Sequence, residues 1–266
     1  MRAAAIYDIH GNLPALEAVL DEIARESVDR IVVGGDVVVG PMTAGVMERL
    51  LQVETRIDFI QGNAEASVLT EMAGADHPIP FPEPIREVMR WEARQLAQFG
   101  GVMAEWPMTL GHRINGLGDV LFCHATPRDL NEIFLQSTPE EVLAPIFEAA
   151  RADVVVCGHT HMPFDRTIGT VRVVNAGSVG MPFAAPGAYY LLLGPGVEPR
   201  HLHYDLHAAA ARVRATGYPQ AQEFADKYIL APPSTAEMSA VFDKFALTSW
   251  GLGLGLGLGP VSMLLQ

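Results

Sequence analysis

Seven side chains with oxygen or nitrogen donors follow short apolar segments at separate points along the chain. They are Asp8, His10, Asp36, Asn63, His124, His159 and His161. Asp8 and His10 are two residues apart, as are His159 and His161, and residues i and i+2 of an extended segment project to the same side. One metal ion can therefore bind both Asp8 and His10. Seven donors are too many for one tetrahedral zinc ion, and they suit two ions about 3.5–4 Å apart that share a carboxylate such as Asp36.

The types of donor indicate which metals and which chemistry to expect. Imidazole ligands favour transition metals over magnesium or calcium. A pair of such ions lowers the pKa of bound water toward ~7 and stabilises negative charge on the oxygens of a reacting group. The pattern therefore predicts metal-assisted hydrolysis.

Each of these segments has an ordinary explanation when it is taken alone. Gly62-Asn63 is a common turn dipeptide, and a single histidine after a strand, such as His124, is more often a hydrogen-bonded core residue than a ligand. The hypothesis of a metal centre depends on the joint occurrence of all the segments, each at the end of a predicted strand.

The segments that precede the donors are predicted to be strands. Five short apolar runs carry this prediction: residues 2–7, 30–33, 57–60, 120–123 and 154–157. Apolar residues at helical spacing separate the first three, and a helix begins after Asn12, a good N-cap. This β-α-β-α-β order implies a largely parallel sheet with helical crossovers, and sites in such sheets form at the carboxyl ends of the strands. A further helix is predicted over 85–99, and the short strands between 167 and 204 are typical of hairpins.

The ordered motifs also match a known family. The set Asp8-x-His10-Gly11-Asn12, Gly35-Asp36, Gly62-Asn63-x-Glu65, His124 and Gly158-His159-x-His161 resembles the calcineurin-like metallophosphoesterases over roughly residues 2 to 205. The resemblance implies an α/β fold, a four-layer α-β-β-α sandwich of two mixed sheets flanked by helices. It implies one metal ion held by Asp8, His10, Asp36 and His161, and a second held by Asp36, Asn63, His124 and His159. A hydroxide that bridges the ions would attack phosphorus in line.

The resemblance further implies roles for individual residues. The residues that it makes catalytic are His10, Asp36, Asn63 and His124, and those that would contact the substrate are Asn12, Asn63 and Arg128. Arg128 could reach a phosphate as a fork-shaped donor, and a solvated loop arginine is the alternative. Manganese is the expected metal, with iron, zinc and nickel as alternatives.

One position departs from the pattern of many family members. Where those members have a histidine directly after the Gly-Asn pair, this chain has Ala64. It therefore resembles the small bacterial phosphodiesterase branch, which lacks that histidine, and the proton donor stays open. The predicted substrate is a small or nucleotide-like phosphodiester. The alternatives are a phosphomonoesterase or protein phosphatase, and a non-catalytic binding scaffold on the same fold.

Composition excludes several other classes of protein. With 18 basic and 31 acidic residues the formal net charge is −13, which argues against nucleic-acid binding through a basic surface. Two cysteines, Cys123 and Cys157, cannot form a disulfide framework. Without a visible signal peptide, the expected location is the cytoplasm.

The chain is predicted to have three parts. Residues 1–205 would form the metallophosphoesterase domain, 206–247 a helical extension packed on it, and 248–266 a tail rich in glycine and leucine. The glycines and Pro260 in the tail argue against a membrane span, so no membrane partner is expected. Whether the protein forms a homo-oligomer is left open.

Overall fold

Strands and helices alternate in the first part of the chain. The computed structural model describes residues 1–78 and 81–246. Its first elements are β1 (Ala3–Ile6), α1 (Leu13–Ile23), β2 (Arg30–Val33), α2 (Thr43–Leu51) and β3 (Ile57–Phe59). Asn12 caps α1 as its residue type predicts, because its side-chain oxygen accepts a hydrogen bond from the Ala15 N–H at 3.2 Å.

The middle of the chain holds more structure than the sequence pattern indicates. It contains α3 (Asn63–Met72), α4 (Glu83–Gln95), a 3₁₀ turn (Ala97–Phe99), α5 (Gly100–Ala104), β4 (Thr109–Ile114), β5 (Gly118–Cys123) and α6 (Glu140–Glu148). The helix predicted over 85–99 instead starts at Glu83 and breaks at Leu96, where the backbone leaves helical geometry. Apolar spacing did not reveal β4, whose residues are mostly half-buried or exposed, or α6, which contains Pro145.

The last part begins with strands and ends with helices. Its strands are β6 (Val154–Cys157), β7 (Phe164–Ile168), β8 (Val171–Asn175), β9 (Ala188–Leu193) and β10 (Val197–Leu202). Its helices are α7 (Leu206–Arg214), α8 (Ala221–Phe224), a π-helical segment (Ala225–Leu230) and α9 (Thr235–Phe242). The hairpins predicted between 167 and 204 are confirmed as β7–β8 and β9–β10.

The described strands form two five-stranded sheets with the orders β10-β9-β1-β2-β3 and β4-β5-β6-β8-β7. The inner pairs β1–β2, β2–β3, β5–β6 and β6–β8 are parallel. The outer pairs β1–β9, β9–β10, β4–β5 and β7–β8 are antiparallel. Both sheets are therefore mixed, as predicted.

Alternating side chains place the two sheets face to face. Ala3 and Ala5 of β1 lie in a buried cluster with Phe122 and Val156 of the other sheet. Ile6, on the opposite face of β1, packs in a cluster with the helices. The outer face of the second sheet is covered by apolar side chains of α6. The order of layers is α-β-β-α, which confirms the predicted sandwich.

The helices after residue 205 pack on the first sheet's outer face. Val213, Phe224 and Phe242 are buried in the same cluster as Leu16 of α1. Within the described ranges, every helix falls short of the length and apolar character that a membrane crossing requires. The predicted division into three parts stays a prediction, and its tail, 248–266, lies outside the described residues together with residue 247.

Candidate metal centre

The seven predicted ligands meet where the carboxyl ends of parallel strands from both sheets converge. Residues 8 and 10 follow β1, 36 follows β2, 63 follows β3, 124 follows β5, and 159 and 161 follow β6. The donor atoms of six of them form two groups, each with its atoms within 4.8 Å of one another: Asp8, His10, Asp36 and His161, and Asp36, His124 and His159. Asp36 belongs to both.

Most of these predicted ligands have an unusual backbone conformation. Asp8, His10, Asp36, His159 and His161 all have positive φ, between 45° and 67°. This left-handed conformation is unfavourable for residues with a Cβ atom and persists only where the surroundings impose it. Backbone hydrogen bonds impose it here, since the Asp8 N–H donates to the Gly35 carbonyl at 3.1 Å and the His10 N–H donates to the Asp36 carbonyl at 3.0 Å.

Each of the four imidazoles has one ring nitrogen next to a backbone carbonyl. In His124 this is Nδ1, 2.9 Å from the Gly34 oxygen, and in His159 it is Nε2, 3.3 Å from the Asn131 oxygen. In His10 it is Nδ1, 3.2 Å from the Val38 oxygen and 3.3 Å from the Val39 oxygen, and in His161 it is Nδ1, 2.7 Å from the Met181 oxygen. A carbonyl only accepts, so this nitrogen carries the hydrogen. In its neutral form each ring presents the lone pair of its other nitrogen to the centre, as metal ligation requires. His124, whose pKa is raised by Asp36, must first release the proton of Nε2.

The two carboxylates leave one oxygen each without a partner. Asp8 Oδ2 accepts from the His159 N–H at 2.9 Å, and Asp36 Oδ1 accepts from the Ala64 N–H at 2.9 Å. Asp8 Oδ1 and Asp36 Oδ2 are buried and make no hydrogen bond to any residue that the structure describes. Unpaired buried carboxylate oxygens are costly, and a divalent cation satisfies them. The donor set therefore fits metal ions.

Asn63 extends the second group. Its side-chain oxygen lies 2.9 Å from His124 Nε2, which is itself 3.4 Å from Asp36 Oδ1. Its side-chain nitrogen is buried and has no hydrogen-bond partner. Asn63 thus contributes both a potential ligand oxygen and a free N–H donor.

Burial and charge shift the pKa values of the centre in opposite directions. Burial, together with neighbouring imidazoles, lowers the pKa values of His10 and His159 to about 4. Burial opposes the charged form of His124 as well, but the charge and hydrogen bonding of Asp36 outweigh it and raise the pKa of His124 to about 10. The same pairing overcomes the burial of Asp36 and holds its pKa well below the usual range.

The two other predicted substrate residues are engaged with the protein. Asn12 is fully buried, and its side-chain nitrogen donates to the Gly180 carbonyl at 2.8 Å and to the Tyr204 hydroxyl at 3.2 Å. Arg128 forms a two-pronged ion pair with Glu132, with its closest contact at 2.5 Å. Their roles in substrate binding stay predictions.

Glu65 and Glu92 are buried carboxylates to which the sequence motifs assigned no role. Glu65 accepts four backbone N–H groups, those of Asp36, Val37, Val38 and Gly62. The position of Glu65, two residues after Asn63, could have indicated that it supports the site. Glu92 lies on the buried face of α4, seven residues after Ile85. A carboxylate within the apolar stripe of a helix could have marked it as a candidate in the sequence.

Comparison with known proteins supports the same interpretation of the site as its geometry. Residues 1–194 match the family profile of the calcineurin-like phosphoesterase superfamily domain. The chain is 27% identical over 202 residues to phosphodiesterase YfcE of Escherichia coli K12, which covers 73% of this chain and 87% of that protein.

Two crystal structures share the fold. The hypothetical protein PH1004 of Pyrococcus horikoshii OT3 has a TM-score of 0.71 at 17% identity and covers 88% of this chain and 99% of that one. A metallophosphoesterase of Sphaerobacter thermophilus has a TM-score of 0.65 at 24% identity and covers 90% of this chain and 98% of that one. The profile match spans most of the chain and includes all seven predicted ligands, so this protein belongs to the calcineurin-like phosphoesterase superfamily, as its motifs predict.

Proposed function

We propose that this protein is a di-metal phosphodiesterase that hydrolyses a small or nucleotide-like phosphodiester. The observation that carries the proposal is the pair of buried donor groups that share Asp36. The phosphodiesterase among the relatives supports the same reaction class. We further propose manganese as the metal, with iron, zinc or nickel as alternatives, and the cytoplasm as the location.

When bound, two divalent ions supply a nucleophile from water at neutral pH and offset the negative charge on the phosphoryl group. The chain's own residues hold the ligand side chains in place for both ions. Carbonyl contacts fix the four imidazole rings, and Asp36 presents one oxygen toward His124, at 3.4 Å, and the other toward His10, at 3.6 Å. In this proposal Asp8, His10, Asp36 and His161 bind one ion, and Asp36, Asn63, His124 and His159 bind the other.

Asn63 has the clearest link to the substrate. Its side-chain nitrogen is a buried donor without a partner, and its position beside the metal groups suits a hydrogen bond to a phosphoryl oxygen. Arg128 is paired with Glu132 through Nε and Nη2, so its Nη1 group is the part left to contact a phosphate. We therefore propose Asn63 as the main contact to the phosphate and Arg128 as a secondary contact.

The test is metal removal and reconstitution. Protein stripped with a chelator is reloaded with Mn²⁺, its metal content is measured by elemental analysis, and hydrolysis of bis(4-nitrophenyl) phosphate and 4-nitrophenyl phosphate is compared. The proposal requires two ions per chain and diester hydrolysis that depends on them. A single ion with Asp36 remote from it in an anomalous difference map contradicts the di-metal arrangement, and faster hydrolysis of the monoester identifies a phosphomonoesterase instead.

A further inference from the structure

The orientation of His10 depends on the loop that connects β2 to α2. The Nδ1 atom of His10 contacts two successive carbonyl oxygens of this loop, those of Val38 and Val39. The His10 N–H also donates to the carbonyl of Asp36. The loop therefore determines where the Nε2 atom of His10 points.

This loop has an unfavourable backbone. Val39 has φ of +63°, a conformation that is a genuine outlier for a β-branched residue. Gly40 lies against the backbone of His10 so closely that a Cβ atom at Gly40 would be 1.8 Å from the His10 carbonyl oxygen. Such a conformation persists only where other groups hold it in place.

Two buried carboxyl groups contact the loop from different helices. Glu65 of α3 accepts the N–H groups of Val37 and Val38. Glu92 of α4 accepts the N–H group of Gly40 at 2.8 Å, on the far side of the strained Val39. The two carboxyl groups thus bind the backbone on both sides of Val39.

Glu92 lies outside every motif of the metal centre and is fully buried. The Thr43 hydroxyl and the Val39 N–H also lie close enough to Glu92 to favour its charged form, but burial prevails and raises its pKa to about 8. A protonated carboxyl group still accepts the Gly40 N–H through its carbonyl oxygen. Among the described residues Glu92 has no ion-pair partner, and its hydrogen bond goes to the strained loop instead.

We propose that Glu92 is a positioning residue of the metal centre: it holds the Val39–Gly40 peptide so that the Val38 and Val39 carbonyls aim the His10 ring at the metal position. The inference rests on the metal centre of the proposed function. Loss of an outer partner of a metal-binding histidine typically costs 10–100-fold in metal affinity. We expect a loss of this size at the site that contains His10.

The experiment measures binding of Mn²⁺ by calorimetry to the full chain after chelation. Glu92→Met, similar in volume but without an acceptor, should weaken one of the two Mn²⁺ sites by about 10–100-fold. Glu92→Gln keeps an acceptor for the Gly40 N–H and should retain affinity within a few-fold. The visible spectrum of the Co²⁺-loaded protein reports ligand geometry, and it should change in Glu92→Met and not in Glu92→Gln.

Val88→Ala is the matched control, because it removes buried apolar volume from the same helix and keeps the hydrogen bond from the Gly40 N–H to Glu92. It should lower thermal stability and leave both Mn²⁺ affinities unchanged. If Glu92→Met does not fold, the double variant Glu92→Met/Val39→Gly replaces it, since glycine adopts the left-handed conformation readily. Its Mn²⁺ affinity is then compared with that of Val39→Gly alone, and the loss of Glu92 should still weaken one site.

A double-mutant cycle with His10→Ala completes the test. Once His10 is absent, Glu92→Met should weaken Mn²⁺ binding no further. Equal Mn²⁺ affinities in Glu92→Met and in the wild type overturn the positioning role, as does an additive loss in the His10→Ala background. Both readouts are metal binding, so a protein that binds two ions and hydrolyses no phosphodiester would overturn the proposed function and leave this inference intact.

Discussion

The Nε2 atoms of His10 and His161 lie 3.2 Å apart, and both rings have their Nδ1 atoms against backbone carbonyls. Two lone pairs therefore face each other across a buried gap, an arrangement that is repulsive in a neutral pair. Burial lowers the pKa of His10 to about 4, so a proton on that ring does not relieve the repulsion at neutral pH. A cation bound between the two rings does.

Asp36→Asn tests whether one carboxylate serves both ions. An amide carries no charge and bridges two cations poorly, so the variant should lose metal stoichiometry and activity together. We expect activity to fall by more than the roughly 10–100-fold that the loss of an outer partner costs. Metal content by elemental analysis and kcat/KM on a diester measure the two effects.

Asp119→Asn is the control for that variant. Asp119 is an exposed carboxylate of β5 whose partner is the exposed Arg113, and such surface pairs contribute little to stability. The control should retain two ions and full activity. An Asp36→Asn protein with two ions at unchanged affinity would show that the shared carboxylate is dispensable.

Gly40→Ala tests the close approach of the loop to His10. The added Cβ atom would lie 1.8 Å from the His10 carbonyl oxygen, so the backbone of one of them must move. We expect a loss of about 1–3 kcal/mol in the free energy of unfolding, seen as a drop of several degrees in Tm, together with weaker metal binding. Gly111→Ala on β4 is the control, because its Cβ atom would meet no atom within 4 Å.

Glu92→Gln should change how stability depends on pH. Burial raises the pKa of Glu92 in the folded protein from 4.5 to about 8. Between these values the folded state holds a proton that the unfolded state has released, so the stability contributed by Glu92 is full below pH 4.5 and is lost as pH rises through 8. The wild type should therefore lose up to about 1.4 kcal/mol per pH unit in this window relative to the variant.

Chemical denaturation at a series of pH values between 5 and 9 measures this difference. Glu87→Gln, on the exposed side of α4, is the control and should follow the wild type. If wild type and Glu92→Gln keep a constant difference in unfolding free energy across the series, Glu92 does not hold a proton at neutral pH.

The sequence predicted where the candidate ligands lie because each follows a parallel strand. Parallel strands of one sheet end at a common edge, so Asp8 and Asp36 were expected to meet once β1 and β2 were identified. His124 follows β5 of the other sheet, and it joins them only because the two sheets pack face to face. Asn175, which ends β8, fixes the neighbouring loop, because its side chain donates to the Gly158 carbonyl at 2.6 Å and accepts from the Gly177 N–H at 2.9 Å. Cys123 and Cys157 are free and buried.

The outer contacts could not be predicted in the same way. The carbonyls that hold His161 and His159 belong to Met181 and Asn131, and a carbonyl has no signature in a sequence. Trp91 packs edge-on against Tyr218, with ring centroids 5.3 Å apart, because the chain after residue 205 folds back onto α4.

Ala64 provides no proton donor at the position that directly follows Asn63. The residue is fully buried, and its N–H group donates to Asp36 Oδ1 at 2.9 Å, so its methyl side chain offers no proton at this position. General-acid assistance accelerates a reaction by about 10²–10⁴-fold, and its value grows as the leaving group becomes more basic. The wild type should therefore hydrolyse diesters with acidic aryl leaving groups much faster than diesters with alkyl leaving groups.

A series of methyl aryl phosphates of graded phenol acidity, with a dialkyl phosphate beside them, measures this dependence as the slope of log kcat against leaving-group pKa. Ala64→His should make the slope shallower by speeding the poor leaving groups more than the good ones. Ala66→His, two residues further along α3 and only partly buried, should leave the slope unchanged. Equal rates for aryl and alkyl leaving groups in the wild type would mean that a different residue already supplies the proton, and the absence of histidine at position 64 would then have no kinetic consequence.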